Sequence, residues 1–431
     1  VTTLALDIGS SSVKACLFKD GKALGDDVRV EYPTKHSGPR VEVEAEKLLG
    51  AVSEAISSVR GAKTADCIGL SVMSPAWVAM DKRGKAITPI VTHQDRRSVE
   101  EAREIERRVG REKHLRLAGN RPFPGSISST TCLWFNNHAP EVMKRADLVG
   151  LVNTLVHRRL TGQRVIDTSN ASFTGLYLTC EQSGWSEALC SACGISRSQL
   201  PEVFESDVAA GKVSNEAASA FGLTAGTPVM AGMVDTSAGI LLTGGKPGQL
   251  YHTCGSTDVL AVVCDQARPH EKLLTRALGI GKRWTSASTL AAGGSSLDWM
   301  RREFFRELTD KAFHALLKKG IASPVRFDPY LAGERMGIEQ KQAAFWNLTL
   351  ASTREQMLAS VIEALVSVSA GRLDLLATAQ PNFLPTVYVS GGAAFLAALM
   401  RRDWPKVAGR KFRRIENATL RGLATLSPRK V

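Results

Sequence analysis

The sequence predicts an α/β chain built as two related domains. Two stretches carry most of that reading. Leu4-Ala5-Leu6-Asp7-Ile8-Gly9-Ser10-Ser11-Ser12-Val13-Lys14-Ala15 and Tyr251-His252-Thr253-Cys254-Gly255-Ser256-Thr257-Asp258-Val259-Leu260-Ala261 each read as strand, tight Gly/Ser/Thr turn, strand. Each opens a half in which hairpins and helices mix, so one plan runs twice. The length, 431 residues, exceeds one comfortable core, and the composition, 44% hydrophobic and 23% charged, is that of a globular chain.

The elements follow in order. Leu4, Leu6 and Ile8 alternate, as do Val13, Ala15 and Leu17, and Asp20-Gly21 turns the chain into a third strand near Ala23 to Val30. The chain therefore opens as an antiparallel meander. A helix is expected over Ala45 to Arg60, a short buried strand over Cys67 to Val72, and another strand at Val78 to Met80. Ser98-x-x-Glu101 reads as a capping box opening a charged helix to about Val109. Helical stretches continue through Glu141 to Leu160, and a strand is expected at Pro228 to Gly232. In the second half Gln249 to Val263 reads as a hairpin and Ser295 to Leu308 as a helix. Ser352-x-x-Glu355 is a second capping box, with Met357, Val361, Leu365 and Val368 on one apolar face behind it. Val387 to Val389 is a strand that leads through Gly391-Gly392 into a helix over Ala393 to Met400. The boundary falls near Gly239 to Gly245, giving domains of 1–240 and 241–431.

Bulk properties exclude several classes. No apolar run is long enough to span a bilayer. Asp7 breaks the apolar start and no basic segment precedes it, so no signal peptide is expected. Among eight cysteines only Cys190 and Cys193 have C-x-x-C spacing, and no second pair completes a zinc site. Reduced thiols and a cytoplasmic location are expected. The net charge of +13 raises a nucleic-acid reading, but the charge is dispersed and no RNP, zinc-finger or basic-zipper pattern appears. We expect no nucleic-acid and no membrane partner.

Five segments could carry chemistry. There is no GxxxxGK[ST] loop and no GxGxxG after a strand, so phosphate handling falls to the hairpins. In the first, Ser10, Ser11 and Ser12 offer hydroxyls and N–H groups, Lys14 can reach across, and Asp7 can orient Mg²⁺ through water. The other reading is an ordinary Gly-Ser turn. The second, Gly255-Ser256-Thr257-Asp258, repeats the first in the other half. The third, Ala231 to Gly239, sets Asp235 among small residues after an apolar strand, suited to take a proton from a hydroxyl or simply to begin a helix. The fourth, His93-Gln94-Asp95-Arg96-Arg97, could bind sugar hydroxyls or form an ion-paired loop. The fifth, Ser390-Gly391-Gly392, permits close approach of a ligand to backbone, or of helix to strand.

The order D-I-G-S-S-S-V-K, Q-D-R-R, S-N-A-S, G-x-x-D-x-x-A-G, C-G-S-T, P-Y-L-A-G-E-R, S-G-G-A-A resembles the FGGY family of carbohydrate kinases, with the xylulokinase-like branch closest in look. Asp167 to Ser172 and Phe327 to Arg335 are the strongest local matches, and the resemblance runs from about Thr3 to Leu426. It implies two actin/hexokinase-like (ribonuclease H-like) domains around a central cleft. It implies ATP and Mg²⁺ as cofactors and transfer of the γ-phosphate to a sugar or polyol, and it allows a homodimer. By the resemblance Asp235 is the general base and Asp7 lies near the metal. Ser10, Ser11, Ser12, Lys14, Gly255, Ser256 and Thr257 hold phosphates, and Gly294, Asp298, Gly391 and Gly392 lie near the adenosine. The sugar is expected among Ser74, Pro75, Trp77, His93, Asp95, Asp235 and Thr236. The sugar end departs from the branch: Met73-Ser74-Pro75-Ala76 stands where xylulokinases usually carry Q-M-H-G, and Thr236 where Asn or Gln is common. The alternatives are a non-catalytic sugar- or nucleotide-binding regulator on the same scaffold and a nucleic-acid binder.

Overall fold

The computed structural model describes residues 1–392 and 411–430. Its first half is centred on an eight-stranded sheet. Thr2–Ile8 pairs antiparallel with Ser12–Lys19 on one side and parallel with Cys67–Val72 on the other. Thr2–Ile8 and Cys67–Val72 are almost wholly buried, because the sheet is covered on both faces. One face carries the helix Ala45–Ser58, whose Leu48, Val52 and Ile56 join Leu4, Leu6 and Ile8 in one core. A five-stranded sheet and the helices around it enclose a second core with Trp77, Phe135 and Tyr177.

The second half repeats the pairing. Leu250–Cys254 is antiparallel to Asp258–Cys264 and parallel to Thr386–Ser390. These strands belong to a six-stranded sheet. The helices Gly294–Phe304 and Arg354–Ala379 cover it through Leu297, Met300, Val361 and Leu365. The expected repeat is thus present in strand order as well as in sequence.

The helix Ala418–Leu423 does not stay with the second sheet. It lies on the first sheet and on the helix Asp235–Leu242, and its Leu420 and Leu423 share a core with Ala5, Phe18, Cys67 and Met233. Arg429 continues this return: its carbonyl accepts from Ala209 N at 2.8 Å and its N–H reaches Asp207 O at 2.9 Å.

Several local expectations need correction. The third strand is broken into Lys22–Ala23 and Val28–Glu31, since Gly25-Asp26-Asp27 interrupts it. The stretch Glu141 to Leu160 is not continuous helix: the buried strand Leu148–Leu151 lies between Pro140–Arg145 and Val152–Thr161. Ser98 precedes the helix Val99–Val109 but does not cap it; its hydroxyl bonds Thr130 Oγ1 at 2.9 Å instead. The second capping box lies one residue later than expected, formed by Thr353 and Gln356. The helix expected over Ala393 to Met400 lies outside the described residues. No described helix is long and apolar enough to cross a membrane.

Candidate active site between the two hairpins

The two Gly/Ser turns face each other across a cleft, and each is braced from behind. In the first, Gly9 N donates to Ser12 O at 3.0 Å, while Tyr32 donates its hydroxyl to Gly9 O. Ser10 and Ser11 remain exposed and Ser12 is buried. In the second, Gly255 N donates to Thr257 O at 3.0 Å. The start of the helix Gly294–Phe304 holds this turn: Gly293 N reaches Ser256 O at 2.9 Å and Gly294 N reaches Gly255 O at 3.0 Å. Amides left unpaired at a helix start are thereby used up on the loop's carbonyls.

Asp258 anchors the outgoing strand. It accepts from His252 Nε2 at 2.6 Å and pairs with Arg372 of the long helix. Burial opposes its charge, but Arg372 and His252 outweigh that and hold the carboxyl below its usual range. Gly391 comes so close that an added Cβ would overlap Cys254 O, and its φ of +98° favours glycine.

Asp235 opens the helix Asp235–Leu242 after the strand Met233–Val234. Its Oδ1 accepts from Thr236 N at 2.6 Å and from Thr236 Oγ1 at 3.1 Å. The carboxylate faces the cleft, yet protein crowds around it. Burial raises its pKa above the ordinary value, against the pull of the Thr236 donors and the Arg335 cation. Behind it lies the network of Asp167. Asp167 accepts from Asn170 N at 3.0 Å, Asn170 Nδ2 at 2.5 Å and Asn153 Nδ2 at 2.9 Å, and from the Ser169 hydroxyl. Ser169 Oγ in turn accepts from Val234 N at 3.0 Å. The backbone that presents Asp235 is thus fastened to the Asp-Thr-Ser-Asn segment. Asn170 Oδ1 also accepts from the Ser74 hydroxyl.

Two cavities meet at the hairpins, with Thr253 bordering both. The first, about 250 Å³, is lined by Ser10, Ser74, His93, Asp235, Thr236, Ser256 and Thr257 among the expected residues. The second, about 400 Å³, is lined by Asp7, Lys14, Gly391 and Gly392. Ser11, Ser12, Pro75, Trp77, Asp95, Gly255, Gly294 and Asp298 line neither. Trp77 stacks on Phe135 at 4.7 Å inside a core. Asp95 is committed to Arg97, with Arg97 Nη2 to Asp95 Oδ2 at 2.7 Å, and to Val41 N, also at 2.7 Å. Asp298 is exposed on its helix. Two charged residues that line the first cavity carried no site expectation, Arg276 and Arg335. Arg335 closes the Gly333-Glu334-Arg335 motif, so its signal was present; Arg276 stands in an undistinguished strand.

Asp7 lies opposite Lys14 in the hairpin register. Burial, with the nearby Asp235 charge, pushes its carboxyl up to about 7 against the pull of Lys14. Asp7 Oδ1 is closed off from solvent with no hydrogen-bond partner. An orphaned carboxylate oxygen beside a cavity fits the hard oxygen shell of Mg²⁺. His93 is held well below its ordinary pKa by burial and by Arg335 and Arg96, so its ring is neutral at pH 7.

Paired phosphate-type turns, a carboxylate at a helix start and a substrate-sized cavity define a phosphotransferase of the two-domain cleft type. Comparison with known proteins says which. The description "FGGY family of carbohydrate kinases, N-terminal domain" matches residues 2–242, and the chain belongs to that family. It is similar to the xylulose kinase of Escherichia coli K12, 24% identical over 90% of this chain and 82% of the relative. It is also similar to the gluconokinase of Bacillus subtilis, 26% identical over 84% of this chain and 74% of the relative. The crystal structure of gluconate kinase from Lactobacillus acidophilus superposes with a TM-score of 0.85 at 19% identity, covering 99% of this chain and 89% of that one. The chain is a carbohydrate kinase, which phosphorylates a sugar with ATP, and Mg²⁺ is the metal of its family.

Proposed function

We propose that Asp235 is the general base of this kinase, taking the proton from the sugar or polyol hydroxyl that attacks the γ-phosphorus. The observation that carries this is its place: among the described residues it is the one carboxylate lining the cavity that also holds Ser10, Ser256 and Thr257. Ser10, Ser256 and Thr257 offer hydroxyls and amides to the phosphate oxygens from both sides. Lys14 and Asp7 flank the adjoining cavity with Gly391 and Gly392, in keeping with a nucleotide running through it. Asp7 would hold Mg²⁺, which would supply positive charge to offset that of the phosphates. Burial disfavours the charge on Asp235, while the Thr236 donors and then the Arg335 cation pull it toward the ionised form that accepts a proton.

In this reading residues 1–240 supply Asp235 and the first hairpin, and residues 241–431 supply the second hairpin and the adenosine side. Closure of the two about the cleft would exclude water and spare ATP from hydrolysis. The eight cysteines form no disulfide, in keeping with a cytoplasmic setting.

The test is a coupled ADP-release assay with Mg-ATP against pentuloses, hexuloses, aldoses, polyols and sugar acids. Relatives named for xylulose and for gluconate put ketoses and sugar acids first in the panel. Asp235→Ala should lower kcat by roughly 10²–10⁴ while ATP binding persists. Undiminished turnover in that variant would sink the assignment.

A further inference from the structure

We infer that the substrate is a small polyhydroxy acid, its carboxylate held by Arg276 and Arg335 on the wall of the Asp235 cavity. This rests on the kinase reading above for the identity of the cavity, but its recognition chemistry can be tested separately. Among the described residues the cavity is lined by two cations, Arg276 and Arg335, and one anion, Asp235, with His93 neutral. Arg276 is only 2% exposed. Its hydrogen bonds go to neutral acceptors alone: the Asn120 side-chain oxygen, Thr275 O at 3.0 Å and Ser126 O at 3.0 Å. Its guanidinium lies 4.4 Å from the Phe173 ring centre, and its Nε is buried with no hydrogen-bond partner. Arg335 is 7% exposed, reaches Ser74 O at a long 3.5 Å, and also has an unpartnered buried Nε.

One serine fixes both. Ser126 O accepts from Arg276, and Ser126 Oγ donates to Arg335 O at 2.8 Å. The Arg276 guanidinium and the Arg335 backbone are therefore tied to one point of the wall, and the two guanidiniums that line the cavity repel. Burial, then Arg335, brings Arg276 down to about 9, and burial, then Arg96, brings Arg335 down to about 10. Asp235 offsets one of the two cations, through Arg335, and a buried cation left without an anion costs free energy. A carboxylate entering the cavity supplies the missing charge and accepts in the planar geometry a guanidinium offers. A neutral polyol of the same length would leave the mutual repulsion standing. The γ-phosphate is a rival source of negative charge, but the hairpin hydroxyls already provide for it, and the two roles separate by which KM responds.

The experiment compares matched pairs with Mg-ATP: D-gluconate against D-glucitol, and D-xylonate against xylitol, with sugar monophosphates as a third arm. The best acid should exceed its neutral partner in kcat/KM by about 100-fold or more. Arg276→Gln should bring that ratio close to one through the KM for the acid, with the KM for ATP within a few-fold of wild type. Arg276→Lys, which keeps the charge, should recover part of the preference and guards against misfolding. Calorimetric titration of D-gluconate and D-xylonate without nucleotide gives an independent reading. Acid binding that Arg276→Gln abolishes, without ADP release in the wild type, would support this inference and sink the kinase reading. A neutral sugar turned over as well as the acids would overturn this inference and leave the kinase standing. Preference for a monophosphorylated sugar, loss in Arg276→Gln confined to the KM for ATP, or no binding of either acid would also overturn it.

Discussion

At Asp235 two demands oppose each other. As the proposed base it must be charged to accept a proton, yet the crowded cleft penalises charge and raises its pKa. Arg335 is the cation that offsets this, so removing it should move the acidic limb of the kcat/KM profile to higher pH. The check is a pH profile of Arg335→Gln beside wild type; coincident limbs would mean that Asp235 does not feel Arg335. Asp7 offers a cleaner sign. Its folded pKa of about 7 stands above the 3.8 of a free carboxyl, so the folded state binds its proton more tightly. Stability from this group is fullest below pH 4 and is lost as pH rises toward 7. Asp7→Asn should therefore melt higher than wild type at pH 7.5 in EDTA, with the gap closing near pH 4; thermal melts across that range read it. The serines of the two turns were legible in the sequence because turn chemistry is local. The positions of Asp95 and Trp77 were not. Both sit within a few residues of cavity-lining side chains, but Trp77 turns into a core by the register of its strand, and Asp95, in the loop after a strand, is drawn to Arg97 and to the Val41 amide from a distant segment.

At the scale of elements, the Asp-Thr-Ser-Asn segment shows how a strand end is kept in place. Ser169→Ala would leave the Val234 amide buried without its acceptor, at a cost of about 1–3 kcal/mol. We expect urea unfolding to show that loss and kcat to fall with it, since Val234 immediately precedes Asp235. A full loss of stability with unchanged kcat would separate the network from the site. The two Ser-x-x-Glu signatures met different fates. Ser98 found a tertiary partner in Thr130, whereas the box at the long helix formed from Thr353 and Gln356, one step along. A sequence window displays the local competitors for a hydroxyl but not those arriving from across the fold. The same limit hid the strand Leu148–Leu151, whose pairing partner Ala76–Met80 lies some seventy residues earlier. The long helices and the two hairpins, which need no distant partner to be recognised, were read within a few residues.

At the scale of the whole molecule, the halves meet where two helices cross. A Cβ on Gly422 would lie 2.0 Å from Ala238 O, so the helix Ala418–Leu423 sits directly against the helix that begins with Asp235. Gly422→Ala should force them apart, at about 1–3 kcal/mol for a tight contact of this kind, and should weaken turnover by shifting Asp235. Chemical denaturation with parallel kinetics measures both; full stability would show that the crossing has room to spare. The sheet repeat that defines the two halves could be read from the sequence, because each hairpin announces itself. The crossing could not, since nothing near residue 420 names a partner in the first half. That return has a consequence for synthesis. Ala5, Phe18, Cys67 and Met233 wait for Leu420 and Leu423 to complete their core. During translation this face of the first sheet is thus completed only once residues 418–423 have left the ribosome, and until then part of its apolar core is open to chaperones and proteases.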